Sequence, residues 1–343
     1  TASIESVIPE VVLKEDPATE KTDNIDEMRK RHGFRPAAFA RLQSAYQAGQ
    51  IGLAKSKLPA NYKVEDADVD ATYPTDEISK VGEVSKAELR TQGQEIIDNG
   101  EVLEVTLAGG HGARFTGGDV AKPAYPVLKV DGKYRSFIEL QVAETPLTAP
   151  HAITESCFTE GAIDRLAKRT NNFGRGAGDM LYLSKGRNIT HRFVPTEADL
   201  RYQRSLEVKR PDREEALRDQ ALNAIIAWAK QQGEGEMFIP QGRNKENTFV
   251  TPGHFYELIS MVLNGTLAKA LQDHPNLKTL FIHNSDNLGA ILDPVILAMH
   301  KKSGKAITAE AAPMTISLVG GGWAKVTDDK GVARTGVVEQ PQF

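Results

Sequence analysis

A strand-like stretch, EVLEVTL at 101–107, runs directly into a glycine-rich segment, LAGGHGARFTGGDVAKP at 107–123. A loop of this kind at the end of an apolar strand gathers backbone amides at one edge of a sheet. Consecutive glycines let N–H groups turn toward an anion with no Cβ in the way. Arg114 and Lys122 add side chains that can make charge-assisted contacts to phosphate oxygens. The segment is not a P-loop, because no Gly-Lys-Ser/Thr follows, and Ala113 and Phe115 break the GxGxxG spacing of dinucleotide folds. By itself it is either an anion cradle or an ordinary glycine turn.

The flanking patterns define the fold class. Ser85-Lys-Ala-Glu88 has the form of a capping box and predicts a helix through Ile96 and Ile97 that stops at Asn99-Gly100. Asp131-Gly132, between alternating residues, predicts a hairpin. Residues 212–230 predict a helix with Leu217, Ala221, Ile225 and Trp228 on its apolar face. Phe255, Leu258, Ile259, Val262, Leu263 and Leu267 predict another amphipathic helix. MFIPQ at 237–241 reads as a short strand and KTLFIHN at 278–284 as a buried one. A helix over 294–301 is expected with Asp293 as its cap, and two strands around DDKG near the end. Strands alternate with helices through 86–343, which predicts an α/β fold with a mixed, mostly parallel sheet flanked by helices. Residues 1–85, interrupted by Pro36 and then acidic and extended, are expected to form an N-terminal extension to that domain.

Charge and cysteine content exclude several function classes. With a net charge of −4 there is no general basic field to attract nucleic acid or anionic lipid. No apolar run approaches the ~18 residues of a membrane span. The single cysteine, Cys157, excludes an internal disulfide or a Cys-based metal cluster and suits a reducing, cytoplasmic setting.

Two later segments carry chemistry. In HNSDNLGAILDP at 283–294 an apolar strand ends in polar residues, where ligands of open α/β sheets sit. Asp286 there is either a Mg²⁺-binding carboxylate or a turn and cap residue. In FIPQGRNKENTFVTPGH at 238–254, Gln241 carries donor and acceptor groups suited to the imide edge of a pyrimidine, and Gly253 lets backbone approach a flat base. The alternative is a solvated loop with a helix start at Gly253-His254. No histidine has metal-ligand spacing with a second one.

Taken in order, the strand with LAGGHGAR, the later Gln, TPGH opening a helix, and SDNLGA after a strand resemble the UDP-sugar pyrophosphorylase family. TPGH and NSDNLGA are similar to its UTP–glucose-1-phosphate uridylyltransferase branch, and SFIELQV to the helix after its loop. The likeness spans about residues 88–339. It implies a Rossmann-like nucleotidyltransferase that joins UTP and a hexose 1-phosphate, glucose 1-phosphate foremost, into a UDP-sugar and pyrophosphate. It further implies that Leu107, Ala108, Gly109, Gly110 and Gly112 bind the nucleotide, with Arg114 and Lys122 on the phosphates and Lys129 a weaker candidate than Lys122. Gln241 and Gly253 would read uracil. His254, Asn287 and Glu339 would lie on the sugar-phosphate side, and Asp286 would hold Mg²⁺. The same chemistry on N-acetylhexosamine or several sugars is one alternative; a nucleotide-binding homologue with weak catalysis is another. Met314 stands where the family carries a phosphate-contacting lysine, so either Lys325 or another cation supplies that charge or the chain is a slow or inactive member. The family also continues beyond the segment matching GVVEQPQF with the rest of its sugar pocket and a further lysine, so the chain is expected to be short of that part.

Overall fold

The computed structural model describes residues 24–110, 112, 121–176, 178, 180–207, 211–240, 245–251, 253–313, 321–339 and 342. Arg114, Gln241 and Met314 lie outside the described residues. The chain divides into two compact units. The first comprises Thr1–Phe34, Tyr73–Thr190 and Val250–Ala306; the second comprises Arg35–Thr72, His191–Phe249 and Ile307–Phe343.

The first unit is built on a four-stranded parallel sheet of β1 (Val102–Leu107), β2 (His151–Thr154), β3 (Leu181–Ser184) and β4 (Thr279–Asn284). Spatial order is β4-β1-β2-β3. The chain therefore moves outward from β1 through β2 to β3 and returns to the opposite side of β1. That reversal makes the carboxyl ends of β1 and β4 a topological switch point, the place where open α/β sheets bind ligands. Every residue of β1 and β2 is buried, as expected for parallel strands covered on both faces.

Helices α1 (Lys86–Asp98), α2 (Phe137–Glu144), α3 (Glu160–Arg169), α4 (His254–Leu263), α5 (Thr266–Asp273) and α6 (Pro294–Ser303) cover this sheet. Leu103, Val105 and Leu107 form one core with Met261 of α4 and Ala270 of α5. On the other face Ala108 and Ile153 pack on Ile138, Val142 and Ile163 of α2 and α3, while Val102 meets Ile96 and Ile97 of α1 and Leu297 of α6. The α1 capping box is present in full, with Ser85 Oγ accepting from the Glu88 amide and Glu88 from the Ser85 amide. Asp293 caps α6 by accepting from the Val295 amide at 2.7 Å. Asp131 and Gly132, both at positive φ, turn the hairpin Pro126–Val130/Lys133–Ser136.

Gly93 marks the closest approach of two helices. A methyl group there would overlap the Pro294 carbonyl oxygen of α6. Neither helix can retreat without opening the Leu89–Val295–Ala298 cluster. Gly93→Ala is expected to lower stability by about 1–3 kcal/mol, measured by urea unfolding, although alanine is the better helix former.

Several expectations are corrected. The strand over 278–284 is an edge strand with Leu280 and Ile282 exposed, because the sheet ends at β4 among the described residues. The single amphipathic helix from 255 to 267 is two helices, broken at Asn264-Gly265, where Gly265 takes a left-handed conformation. Of MFIPQ, the described residues 237–240 form no strand, and Met237 makes an isolated antiparallel bridge to Phe193.

In the second unit, Gly322–Thr327 and Ala333–Val338 pair antiparallel around the DDKG turn, and Lys63–Asp66 adds a third strand. The helix Asp212–Gln232 buries Ile226 and Ala229, while Leu217, Ile225 and Trp228 are exposed. Its inner stripe runs through Glu215, Arg218, Leu222, Ile226 and Ala229, and Glu215, with the exposed Asp219 one turn on, pairs with Arg204 of the helix Glu197–Ser205. That ion-pair cluster turns the expected apolar face partly to solvent.

Candidate functional site

Parallel β1 and β4 bring their carboxyl ends side by side, with Leu107 in register with Asn284. The glycine loop leaves β1 there, and the Asn284–Asp286 turn leaves β4. Lys122, beyond the loop, reaches Asp286 Oδ2 in an ion pair, with its ammonium also 5.8 Å from the centre of the Phe137 ring. A methyl group on Gly112 would overlap the Lys122 side chain, so the loop and this lysine are in contact. The structure thus joins Gly112, Lys122 and Asp286, which are separated by up to 174 positions in sequence.

Helix α4 supplies the second wall. Gly253 enters it at φ +85°, and His254 opens its first turn. The His254 ring lies over Gly110, with Cε1 at 4.0 Å from where a methyl on that glycine would sit. His254 Nδ1 is 2.8 Å from Glu257 Oε1. Glu257 Oε2 in turn accepts from the Gly109 amide at 3.3 Å and from the Thr154 hydroxyl, while Thr154 Oγ1 accepts from the Ala108 amide at 3.2 Å. The hydrogen bond to Glu257 holds the His254 imidazole above its ordinary value; burial opposes this, and the charges of Glu257 and Asp286 add to it.

Asn287 is placed from below. Its carbonyl accepts from Gln141 Nε2 of α2 at 2.8 Å. Gln141 belongs to a buried polar layer beneath the sheet. Thr145 Oγ1 lies 3.0 Å from the Gln141 carbonyl and 2.8 Å from His151 Nδ1. His151 Nε2 is 2.8 Å from Thr106 Oγ1, and His283 Nε2 is 2.9 Å from Glu104 Oε1. Burial, helped by the positive charge of Arg175, holds His151 well below the usual imidazole range. With Thr145 donating to the Gln141 carbonyl, neutral His151 carries its proton on Nδ1 and accepts from Thr106.

At the end of β2, Glu155 is fully buried against Lys185 at 2.8 Å, and burial pushes its carboxyl up to about 8. Lys185 also pairs with Asp164. A cavity of about 20 Å³ between Glu155, Ser156, Gly253, Tyr256, Glu257 and Ser260 has the size of one water.

Glu339 lies in the second unit, where its amide donates to Gln342 Oε1 at 2.8 Å. Lys129 sits on the 126–136 hairpin, 5.9 Å from the centre of the Tyr134 ring, and Lys325 on the 322–327 strand of the second unit. Sequence reasoning missed Glu257, Thr154 and Gln141. Glu257 had a readable signal, an acid three residues after His254 in a helix's first turn; Thr154 and Gln141 had none.

Among the described residues no group of three or more His, Cys, Asp or Glu could hold a metal ion, and no helix is long and apolar enough to cross a membrane. No protein-family model matches the chain, and no curated protein matches it. Solved structures do. A variant of the UDP-glucose pyrophosphorylase from Leishmania major matches 93% of this chain and 56% of its own, at 15% identity and a TM-score of 0.50. A second variant of that protein matches 94% and 57% at the same identity and score. A uridine diphosphate N-acetylglucosamine pyrophosphorylase from Trypanosoma brucei matches 75% and 45%, at 14% identity and a TM-score of 0.45. The chain spans a little over half the length of the Leishmania protein. The first unit's helix-flanked parallel sheet belongs to an α/β fold that resembles the catalytic domain of UDP-sugar pyrophosphorylases.

Proposed function

We propose that the chain binds UTP at the switch point of the first unit and transfers its uridylyl group to a hexose 1-phosphate, with glucose 1-phosphate the expected acceptor. The observation that carries this reading is the convergence of Gly112, Lys122 and Asp286 beside the His254 ring and Gly110. In this reading residues 86–343 form the catalytic part and 1–85 an extension. The likeness in fold to the Leishmania UDP-glucose pyrophosphorylase supports it.

Asp286 fits a magnesium site. It is a half-exposed hard-oxygen donor that already holds a cation, the Lys122 ammonium. Mg²⁺ keeps several waters and needs only one or two carboxylates beside substrate phosphates. When bound, the ion would neutralise charge on the phosphates. Lys122, released from Asp286, would turn to the triphosphate, and His254 would face the sugar phosphate. A sugar-phosphate oxygen attacks the α-phosphorus, the new P–O bond forms, and the bond to the bridging oxygen breaks with its electron pair leaving on pyrophosphate. No protein nucleophile is needed; positioning and charge stabilisation do the work.

Calorimetric titration with UTP, UDP-glucose and ATP in Mg²⁺ tests the binding step. Saturable heats for the two uridine nucleotides, with ATP much weaker, are expected; no heat from either uridine nucleotide contradicts the reading. Turnover of a panel of sugar 1-phosphates then separates a glucose enzyme from one acting on N-acetylhexosamine or several sugars. Met314, at the family's lysine position, favours a second reading in which UTP binds without turnover. Turnover gained by Met314→Lys would support it.

A further inference from the structure

We propose that Glu257 is a positioning residue that locks the start of the glycine loop and the His254 ring into one phosphate-binding unit. The proposal rests on the nucleotide reading above, which gives the phosphate its identity, but it follows from contacts of its own.

The Glu257 side chain is only 12% exposed, and both its oxygens are used. Oε1 takes His254 Nδ1; Oε2 takes the Gly109 amide and the Thr154 hydroxyl. Through Thr154 the Ala108 amide joins the same network. A methyl on Gly109 would strike the Glu257 carboxylate, so this close approach requires glycine. The first two loop amides are therefore committed internally, that of Ala108 to the Thr154 hydroxyl and that of Gly109 to the Glu257 carboxylate. An incoming anion is directed to the later glycines, Gly110 and Gly112, over which His254 and Lys122 lie.

Anchoring through Nδ1 leaves Nε2 as the one ring nitrogen His254 can offer a ligand, and the ring is half exposed. The paired carboxylate favours the imidazolium form, whose Nε2–H makes a charge-assisted bond to a phosphate oxygen. Charged groups facing His254 are Glu257 on its own helix and Asp286 from the turn after β4, the latter already paired with Lys122. Because the His254 imidazolium is lost as pH rises through its raised value, phosphate affinity should fall over that interval.

The test uses inorganic pyrophosphate as the probe, with calorimetry across pH 6–9 and an NMR titration of the His254 ring without ligand. Glu257→Gln keeps size and one acceptor but removes the charge. It is expected to weaken pyrophosphate binding about tenfold at neutral pH, as for a lost hydrogen bond to a charged group. It should also move both the His254 midpoint and the binding profile to lower pH. His254→Gln should flatten that profile, with the melting temperature reporting that each variant is folded. An unchanged His254 midpoint in Glu257→Gln, or wild-type pyrophosphate affinity and profile, overturns the proposal. So does a wild-type chain that binds no pyrophosphate. Pyrophosphate lacks a uridine. Binding with the expected pH dependence but no binding of UTP therefore upholds the role of Glu257 and removes the nucleotide reading. UTP turnover with a pH profile indifferent to Glu257→Gln does the reverse.

Discussion

Asp286→Ala is expected to lower UDP-sugar formation by about a hundredfold to a thousandfold at saturating UTP, the range seen when one electrostatic stabiliser of a transition state is removed. The loss should fall on kcat and on the magnesium dependence rather than on KM. Asp286 accepts the Lys122 ammonium in the ligand-free chain, so its removal leaves that cation to the triphosphate and should not weaken nucleotide binding. Lys122→Ala should behave oppositely, raising KM for UTP as well as lowering kcat, because a ground-state contact to phosphate is lost along with a transition-state one. Stopped assays of pyrophosphate release over a range of Mg²⁺ concentrations separate the two patterns. Equal effects of both variants on KM and kcat would mean that the pair is structural.

Glu104→Ala is expected to cost about 1–3 kcal/mol, the range for leaving a buried hydrogen-bonding group without its partner. Glu104 and His283 lie 2.9 Å apart on neighbouring strands, each almost inaccessible, with Thr106 3.3 Å from the same imidazole nitrogen. Alanine leaves His283 Nε2 with only the longer Thr106 contact and opens a cavity under the sheet. The double replacement Glu104→Met with His283→Leu should cost far less, because desolvation of both polar groups is relieved together. Urea unfolding of the two single variants and the double one measures the coupling directly. The layer continues through His151 and Thr145 to Gln141, which holds the Asn287 carbonyl. Loosening it should therefore also raise the magnesium concentration needed for half-maximal turnover, through the turn that carries Asp286.

The parts of this fold legible in the sequence were those decided by neighbours along the chain. The Ser85–Glu88 box, the Asp131-Gly132 turn, the Asp293 cap and the DDKG turn are each closed by contacts within four residues. Features set by distant partners were not legible. The apolar face expected on the Asp212–Gln232 helix is turned by Arg204, and β4 lies at an edge because of strand order, which periodicity does not encode. In the candidate site the order of the glycine loop, TPGH and SDNLGA was readable as a resemblance, and the structure brings Lys122 and Asp286 into contact. Glu257 became visible only when β1 and α4 were seen to meet, since its role depends on an amide 148 positions away.

The most direct measurement is ³¹P NMR of the chain incubated with UTP, Mg²⁺ and glucose 1-phosphate. The three UTP phosphorus signals and the sugar-phosphate signal are expected to give way to those of UDP-glucose and pyrophosphate in equal amounts, and Asp286→Ala is expected to slow this conversion by at least about a hundredfold. Intact UTP throughout, with no UDP-sugar from glucose 1-phosphate or N-acetylglucosamine 1-phosphate, would contradict the proposed transfer.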